Sequence, residues 1–195
     1  METRRVVFIG VGGQGNLLAS RLLGEASLSK GIPAVVSEIH GMAQRGGIVE
    51  SAVLMGDATS PIVSNGEADV LVGFEPLETL RALGKCNKET VVITNTHTLP
   101  PFTVSIGQGT YPPVEEIMDL IRGKAGKVIS LDGNKMAAEA GNPLSLNMVM
   151  LGALIGSGAI SIGPDDMKEV ISSSTKEAFL ESNLKAFDLG LKSAQ

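Results

Sequence analysis

Short, unbroken runs of apolar residues recur along the chain at intervals that suit the strands of a buried sheet. A strand that is covered on both faces needs apolar side chains on both sides, so unbroken runs favour a parallel sheet between helices. The irregular stretch from residue 95 to residue 113 adds one short expected strand, at residues 103–106. Six other runs predict the main strands: residues 6–9, 34–39, 48–55, 70–74, 90–94 and 127–131.

Segments with apolar residues three or four positions apart separate these runs and predict helices. Beyond residue 132 only this helical pattern occurs. The order of elements predicts one α/β domain over residues 1–195, with a Rossmann-like, doubly wound, mostly parallel sheet and an α-rich C-terminal part. Within it, the first two strands should form a right-handed βαβ unit. The predicted helices are residues 14–30, 77–83, 114–122, 134–140, 144–157, 165–173 and 176–192.

Composition excludes several classes of function. The 195 residues carry a net charge of −5 and no Trp, which argues against a nucleic-acid binder because no basic stripe or stacking platform is available. The single cysteine, Cys86, can hold neither an iron–sulfur cluster nor a cysteine-type zinc ion. No signal peptide precedes the first strand, and the longest apolar stretch is broken by Gly152, so we expect a cytoplasmic protein that does not enter the membrane.

A glycine-rich turn joins the first predicted strand to the first predicted helix. Gly10, Gly12 and Gly15 form Gly-x-Gly-x-x-Gly, with Gly13 and Gln14 between them. In a dinucleotide-binding protein these glycines permit the tight turn, the approach of a phosphate and the close packing of the helix. The sequence leaves two interpretations open: a site for NAD, FAD or another anion at the helix N-terminus, or glycines that serve only the turn and its packing.

The second strand ends in a further group of candidate binding residues. Glu38 could accept hydrogen bonds from a ribose hydroxyl, or it could be a solvated strand end. His40 could donate or shuttle a proton, whereas nothing in its surroundings in sequence favours a metal ligand. Arg45 offers a planar fork for phosphate or carboxylate, and Gly46 and Gly47 give the loop an unusual shape. The alternative is an ordinary surface loop or a loop that contacts another subunit.

Three polar residues elsewhere are further candidates. Glu75 and Asn95 follow predicted strands, so each could line the crevice at the carboxyl ends of the sheet. Each could equally be a helix cap or a turn residue. Asn147 lies in an apolar helical run and needs a partner if it is buried, either a neighbouring loop or a ligand.

Several of these stretches together resemble the gamma-type subunit or domain of the 2-oxoacid:ferredoxin oxidoreductases, and in particular the indolepyruvate type, in which it is the beta subunit. The likeness extends over nearly the whole chain, and its most specific part is His-Gly-Met-Ala-Gln-Arg-Gly-Gly at residues 40–47. The other matching stretches are residues 10–19, 68–78, 147–153 and 183–187.

The resemblance implies that the chain is the smaller subunit of a complex that converts a 2-oxoacid and coenzyme A to acyl-CoA and CO2 and reduces ferredoxin. Thiamine diphosphate, Mg²⁺ and the iron–sulfur clusters would then belong to a larger partner subunit, and the isolated chain would be inactive. This chain would shape one wall of the active site or the approach of the co-substrate coenzyme A, and the glycine turn would then either hold an anion or serve only packing. No catalytic or metal-binding residue is assigned to this chain. The alternatives are a free-standing NAD(P)-binding Rossmann protein and a non-catalytic nucleotide-binding module.

Overall fold

A six-stranded sheet forms the centre of the structure, a computed structural model that describes residues 2–41 and 47–195. The strands follow the order β2-β3-β1-β4-β5-β6 across the sheet. All of them run in one direction except β3, which is antiparallel to both of its neighbours. Their bounds are Arg4–Val11 (β1), Ala34–His40 (β2), Ile48–Met55 (β3), Val70–Gly73 (β4), Val91–Asn95 (β5) and Lys127–Leu131 (β6).

Helices cover both faces of this sheet. On one face, α1 and the C-terminal helices pack around buried residues such as Phe8, and on the other face α2 and α4 pack around residues such as Val7. The doubly wound, mostly parallel α/β architecture with an α-rich C-terminal part is therefore confirmed. The helices are Asn16–Ser29 (α1), Pro76–Arg81 (α2), Phe102–Ser105 (α3), Val114–Lys124 (α4), Gly133–Glu139 (α5), Leu146–Gly156 (α6), Pro164–Ser174 (α7) and Glu177–Ser193 (α8).

Strand β3 corrects one expectation from the sequence. It lies between β1 and β2 and pairs with both, since Val53 is opposite Val6 on one side and Val36 on the other. The first two strands are therefore parallel but not neighbours, and the βαβ unit expected there is split by β3. Strand β3 is antiparallel to β2 because their connection is short, whereas a parallel neighbour would need a crossover of a dozen or more residues.

The stretch at residues 103–106 is also not a strand. Residues Phe102–Ser105 form the short helix α3, in which the N–H groups of Val104 and Ser105 donate to the carbonyl oxygen of Pro101 at 2.9 and 3.2 Å. Four residues of alternating polarity are too few to separate a strand from a helical turn.

The C-terminal helices are held by an unusually close contact between α6 and α8. A Cβ atom at Gly152 would overlap the backbone carbonyl of Phe187, and one at Gly190 would overlap the carbonyl of Val149. The two helices thus pack backbone to backbone, and α6 is buried along nearly its whole length. Among the residues that the structure describes, no helix is long and apolar enough to cross a membrane.

Candidate functional site at the carboxyl edge of the sheet

The carboxyl ends of the parallel strands bring most of the predicted site residues to one edge of the sheet. The glycine turn follows β1, Glu75 follows β4, Asn95 ends β5, and Gly47 precedes β3 at the same edge. His40 ends β2, but its side chain, like the whole of Arg45 and Gly46, lies outside the described residues.

The side chain of Gln14 closes the glycine turn from within. Its amide oxygen accepts from the N–H of Val11 at 2.8 Å, and its amide nitrogen donates to the carbonyl oxygen of Phe74 at 3.0 Å. The N–H of Gly12 donates to the carbonyl oxygen of Gly47 at 2.9 Å. The turn is thereby tied to β4 and to the end of the 40–47 loop. Three of its backbone donors are already used, because the N–H of Gln14 also donates to the carbonyl oxygen of Val11 at 3.1 Å.

The glycines of the turn have different physical roles. A Cβ atom at Gly10 would lie 2.9 Å from Phe74, and one at Gly15 would lie 2.9 Å from the amide nitrogen of Asn147. Gly15 also has a φ of 82° at the N-cap of α1, a helix with no side-chain cap and no acidic residue in its first turn. At Gly13, by contrast, φ is +103° and a Cβ atom would meet nothing within 4 Å. Gly13 therefore faces open space close to the N-terminus of α1.

A cleft of about 190 Å³ opens beside Gly13. One wall comes from the turn, another from the chain after β5, and the third from the chain before α6. None of the described lining residues is acidic, and none is a lysine or an arginine, so the cleft itself provides apolar surface and amide groups. The lining residues are Gly13, Gln14, His97, Leu99, Asn134, Pro143, Leu144 and Leu146.

Glu75 is buried at this edge, where it caps α2 and also holds a distant segment. One of its carboxylate oxygens accepts from the N–H of Glu78 at 2.9 Å. The other accepts from the N–H of Leu99 at 3.2 Å and from the hydroxyl of Tyr111. Burial, followed by the hydrogen bond to Glu75, raises the pKa of Tyr111 above its ordinary value. The capping interpretation of Glu75 thus agrees with its contacts, and the structure adds a second role.

Asn95 is fully buried and joins three elements. Its amide nitrogen donates to the carbonyl oxygen of Phe74 at 3.0 Å and to the side-chain oxygen of Asn134 at 2.8 Å. Its amide oxygen accepts from the N–H of Gly133 at 2.9 Å. These bonds fix the end of β4 and the start of α5 against β5, so Asn95 shapes the floor below the cleft without lining it.

Glu78 is the second buried carboxylate near this edge. Burial is the main cause that raises its pKa, Glu75 adds to the increase, and Arg81 at 2.7 Å opposes it. Its other oxygen has no hydrogen-bond partner within the described part of the chain. We assign it no contact with the cleft, because it is not among the residues that line it.

Glu38 does not reach this cleft in the way that ribose binding requires. It is exposed on the edge strand β2, and both Glu38 and Phe8 of β1 lie opposite Ser51 of the intervening strand. Neighbouring strands are about 4.8 Å apart, which separates Glu38 from β1 by about 10 Å. The hydrogen bond expected between an acidic residue beside β1 and a dinucleotide ribose therefore loses its geometric basis.

The described residues offer no site for a cluster or a metal ion. Within residues 2–41 and 47–195, no group of three His, Cys, Asp or Glu side chains could hold a metal ion. The only cysteine of the sequence, Cys86, is buried, and burial raises its pKa to about 11. A protonated, isolated thiol does not fit iron–sulfur ligation, which needs several thiolates.

Sequence reasoning missed three residues that shape the site. Tyr111 reaches Glu75, Asn134 reaches Asn95 and lines the cleft, and Leu144 lines the cleft while exposing most of its side chain. Only Tyr111 carried a signal, since it is the single tyrosine of the chain and stands in a long uncharged stretch.

Comparisons with known proteins match this chain over almost its full length. A family described as pyruvate ferredoxin/flavodoxin oxidoreductase matches residues 5–193. Indolepyruvate oxidoreductase subunit IorB of Pyrococcus horikoshii is 42% identical over 197 residues, which cover 100% of this chain and 98% of that protein.

Solved structures give the same result. The gamma subunit of keto/oxoacid ferredoxin oxidoreductase from Geobacter sulfurreducens PCA has a TM-score of 0.72 at 25% identity, and 98% of each chain is covered. The 2-oxoglutarate:ferredoxin oxidoreductase from Magnetococcus marinus, with 2-oxoglutarate, coenzyme A and succinyl-CoA bound, shares the fold with a TM-score of 0.73 at 21% identity; the match covers 100% of this chain and 31% of that one. The resemblance seen in the sequence motifs is thus confirmed, and the chain belongs to the pyruvate ferredoxin/flavodoxin oxidoreductase family.

Proposed function

We propose that this chain is the smaller subunit of an oxidoreductase complex that acts on indolepyruvate or a related arylpyruvate. The observation that carries the proposal is the near full-length similarity to indolepyruvate oxidoreductase subunit IorB, at 42% identity. In the proposed reaction the 2-oxoacid and the thiol of coenzyme A give acyl-CoA, CO2 and a proton, and ferredoxin accepts the electron pair.

The residues of this chain do not fit the cofactors of that chemistry, so we assign those cofactors to a larger partner subunit. The sequence has one cysteine, which is buried, and the described residues hold no metal-binding group. Thiamine diphosphate with Mg²⁺ would supply the decarboxylation chemistry on the partner, and iron–sulfur clusters there would pass electrons to ferredoxin.

We further propose that coenzyme A binds at the carboxyl edge, with its phosphates near Gly13 and the N-terminus of α1. Two observations support this site. The first turn of α1 has no acidic residue that would repel a phosphate, and Gly13 faces open space. The cleft beside it has no charged lining residue that would repel a phosphate. Arg45 would supply the paired cation, as the sequence suggests.

The test is CoA-dependent reduction of a viologen dye by indolepyruvate, measured on this chain co-expressed with its large subunit. We expect activity only when both chains are present. Equal activity of the large subunit alone would overturn the proposed subunit role. Saturable binding of NADH to the purified chain, with no CoA-dependent turnover in the complex, would instead favour the nucleotide-binding alternative.

Arg45→Ala tests the coenzyme A site within the same assay. We expect the KM for coenzyme A to rise roughly tenfold, as for the loss of one charge-assisted hydrogen bond, with the complex intact. Arg122→Ala is the matched control, because Arg122 is exposed on α4 and pairs only with Asp119 at 3.0 Å. Loss of assembly in the Arg45 variant would show that Arg45 contacts the partner subunit rather than coenzyme A.

A further inference from the structure

Large apolar side chains that remain exposed gather around the mouth of the cleft. Leu144 is 83% exposed, Phe179 51% and Leu99 44%. Leu144 lines the cleft together with Leu99, and it also lines an adjoining groove of about 270 Å³ together with Leu18 and Phe179. We call Leu18, Leu99, Leu144 and Phe179 the apolar rim. Contiguous apolar surface of this kind, rimmed by polar groups, is typical of interaction sites.

The segment that carries Leu99 and Ile106 is unusual in composition. Residues 90–114 contain no Asp, Glu, Lys or Arg, although 19% of the chain is charged. Strand β5 accounts for the beginning of this stretch, but residues 103 and 105–110 are exposed. The comparable run at residues 140–164 includes the buried helix α6, which explains its lack of charge. We call residues 96–113 the uncharged arm; burial within this chain does not explain its composition.

The uncharged arm has a fixed shape. Glu75 accepts hydrogen bonds from Leu99 near one end of the arm and from Tyr111 near the other. Inside the arm, the N–H of Gly107 donates to the carbonyl of Val104 at 3.0 Å, and that of Gln108 donates to the carbonyl of Thr103 at 2.8 Å. A segment that is ordered before binding loses less conformational entropy when it docks.

We propose that the apolar rim is the surface that docks onto the larger, thiamine-carrying subunit. The inference rests on the proposed function. Coenzyme A held in the cleft must bring its thiol to an acyl group on the partner, so the partner has to cover the mouth of the cleft. The rim surrounds that mouth, and its lack of charge suits the apolar core of a protein interface. A second copy of this chain seated there would block the path of the thiol.

Charge substitutions on the rim test the proposal in the two-subunit complex. Phe179→Asp and Leu144→Asp each place a carboxylate in the proposed interface, and we expect about tenfold or greater loss of affinity for the large subunit. Leu28→Asp is the matched control: Leu28 is 59% exposed near the C-terminal end of α1, at the opposite edge of the sheet. Its affinity should stay within about twofold of the unsubstituted chain. Circular dichroism and urea unfolding establish that all three variants are folded.

The outcomes separate this proposal from the proposed function. Rim variants that bind the large subunit as tightly as the unsubstituted chain would overturn the docking surface while leaving the subunit role intact. The docking surface would be overturned equally if these variants change only the KM for coenzyme A, or if they abolish self-association of the isolated chain without weakening the complex. Failure of the unsubstituted chain to bind any large subunit would overturn the proposed function itself.

Discussion

The buried carboxylate of Glu75 is the point at which helix α2, the uncharged arm and the floor of the site meet. Glu75→Ala removes the cap of α2 and the acceptor for both Leu99 and Tyr111. We therefore expect two effects: a loss of global stability, and a local release of the uncharged arm. The second effect distinguishes this position from an ordinary helix cap.

The size of the global effect follows from the bonds that are lost. An N-cap replaced by Ala costs about 1 kcal/mol. Each of the two further hydrogen bonds contributes about 1 kcal/mol net. Leu99 and Tyr111 are only partly buried, so the N–H of Leu99 and the hydroxyl of Tyr111 can donate to water instead. Removal of a buried charge beside Glu78 offsets part of this sum. We expect the free energy of unfolding to fall by about 2 kcal/mol, measured by urea denaturation. Glu75→Gln keeps one oxygen and should lose about half as much.

Tyr111 provides a direct local measurement, since it is the only tyrosine in a chain without Trp. In the unsubstituted chain its pKa is raised above 10.0, first by burial and then by Glu75. Its contribution to stability is intact below about pH 10 and is lost as the pH rises through the higher folded-state pKa. In Glu75→Ala the tyrosinate absorbance should appear at lower pH, and the tyrosine emission should increase because a quenching carboxylate is gone.

An unchanged tyrosinate titration in Glu75→Ala would refute the reasoning, whatever the change in global stability. It would mean that Tyr111 and the arm are held by burial alone. Glu67→Ala is a suitable control, because Glu67 accepts only from the N–H of Ser64 in an exposed turn. This control should alter neither the emission nor the titration of Tyr111.

Two further predictions concern packing and thiol chemistry. Gly152→Ala should lower the free energy of unfolding by about 3 kcal/mol, and with it the Tm, because the added methyl group meets the backbone of Phe187. Gly123→Ala has open space at its helical position, so it should be neutral or stabilise the fold by about 0.5 kcal/mol. Equal Tm values for the two would contradict the close packing of α6 on α8. Cys86 has a pKa of about 11 rather than 9.0, so its thiolate fraction at pH 8 falls about a hundredfold. It should react at least that much more slowly with Ellman's reagent in the folded chain than in urea, and a fast native reaction would argue against its burial.

Most strands and helices could be predicted because the pattern of apolar residues along the sequence shows which faces are buried. The apolar run at residues 48–55 is β3 to the residue, and the pattern at 176–192 differs from α8 by one position at each end. Strand neighbours were not predictable in the same way. The direction of β3 follows from its short connection to β2, which the sequence shows. Its pairing with β1, far earlier in the chain, leaves no trace in the hydrophobic pattern.

The candidate site, too, could be predicted only in part from the sequence. The position of the glycine turn, Gly47, Glu75 and Asn95 at one edge of the sheet could be predicted, because the carboxyl ends of parallel strands lie at the same edge. What each side chain does there depends on contacts across long separations. Gln14 bonds to Phe74, and Glu75 bonds to Tyr111, which is 36 residues away. Such pairs are set by tertiary packing, so periodicity and motif spacing could not identify them.

The glycine turn shows why a familiar motif does not by itself identify a dinucleotide site. Two glycines of Gly-x-Gly-x-x-Gly, Gly10 and Gly15, are required by close contacts with Phe74 and Asn147, and the third, Gly12, donates to Gly47. Gly13, which lies outside the motif, faces open space. Because β3 separates Glu38 from the turn, Glu38 does not occupy the place beside β1 from which an acidic residue binds a dinucleotide ribose. The motif here builds an edge of the sheet, and the binding of a ligand through Gly13 and the end of α1 stays a prediction.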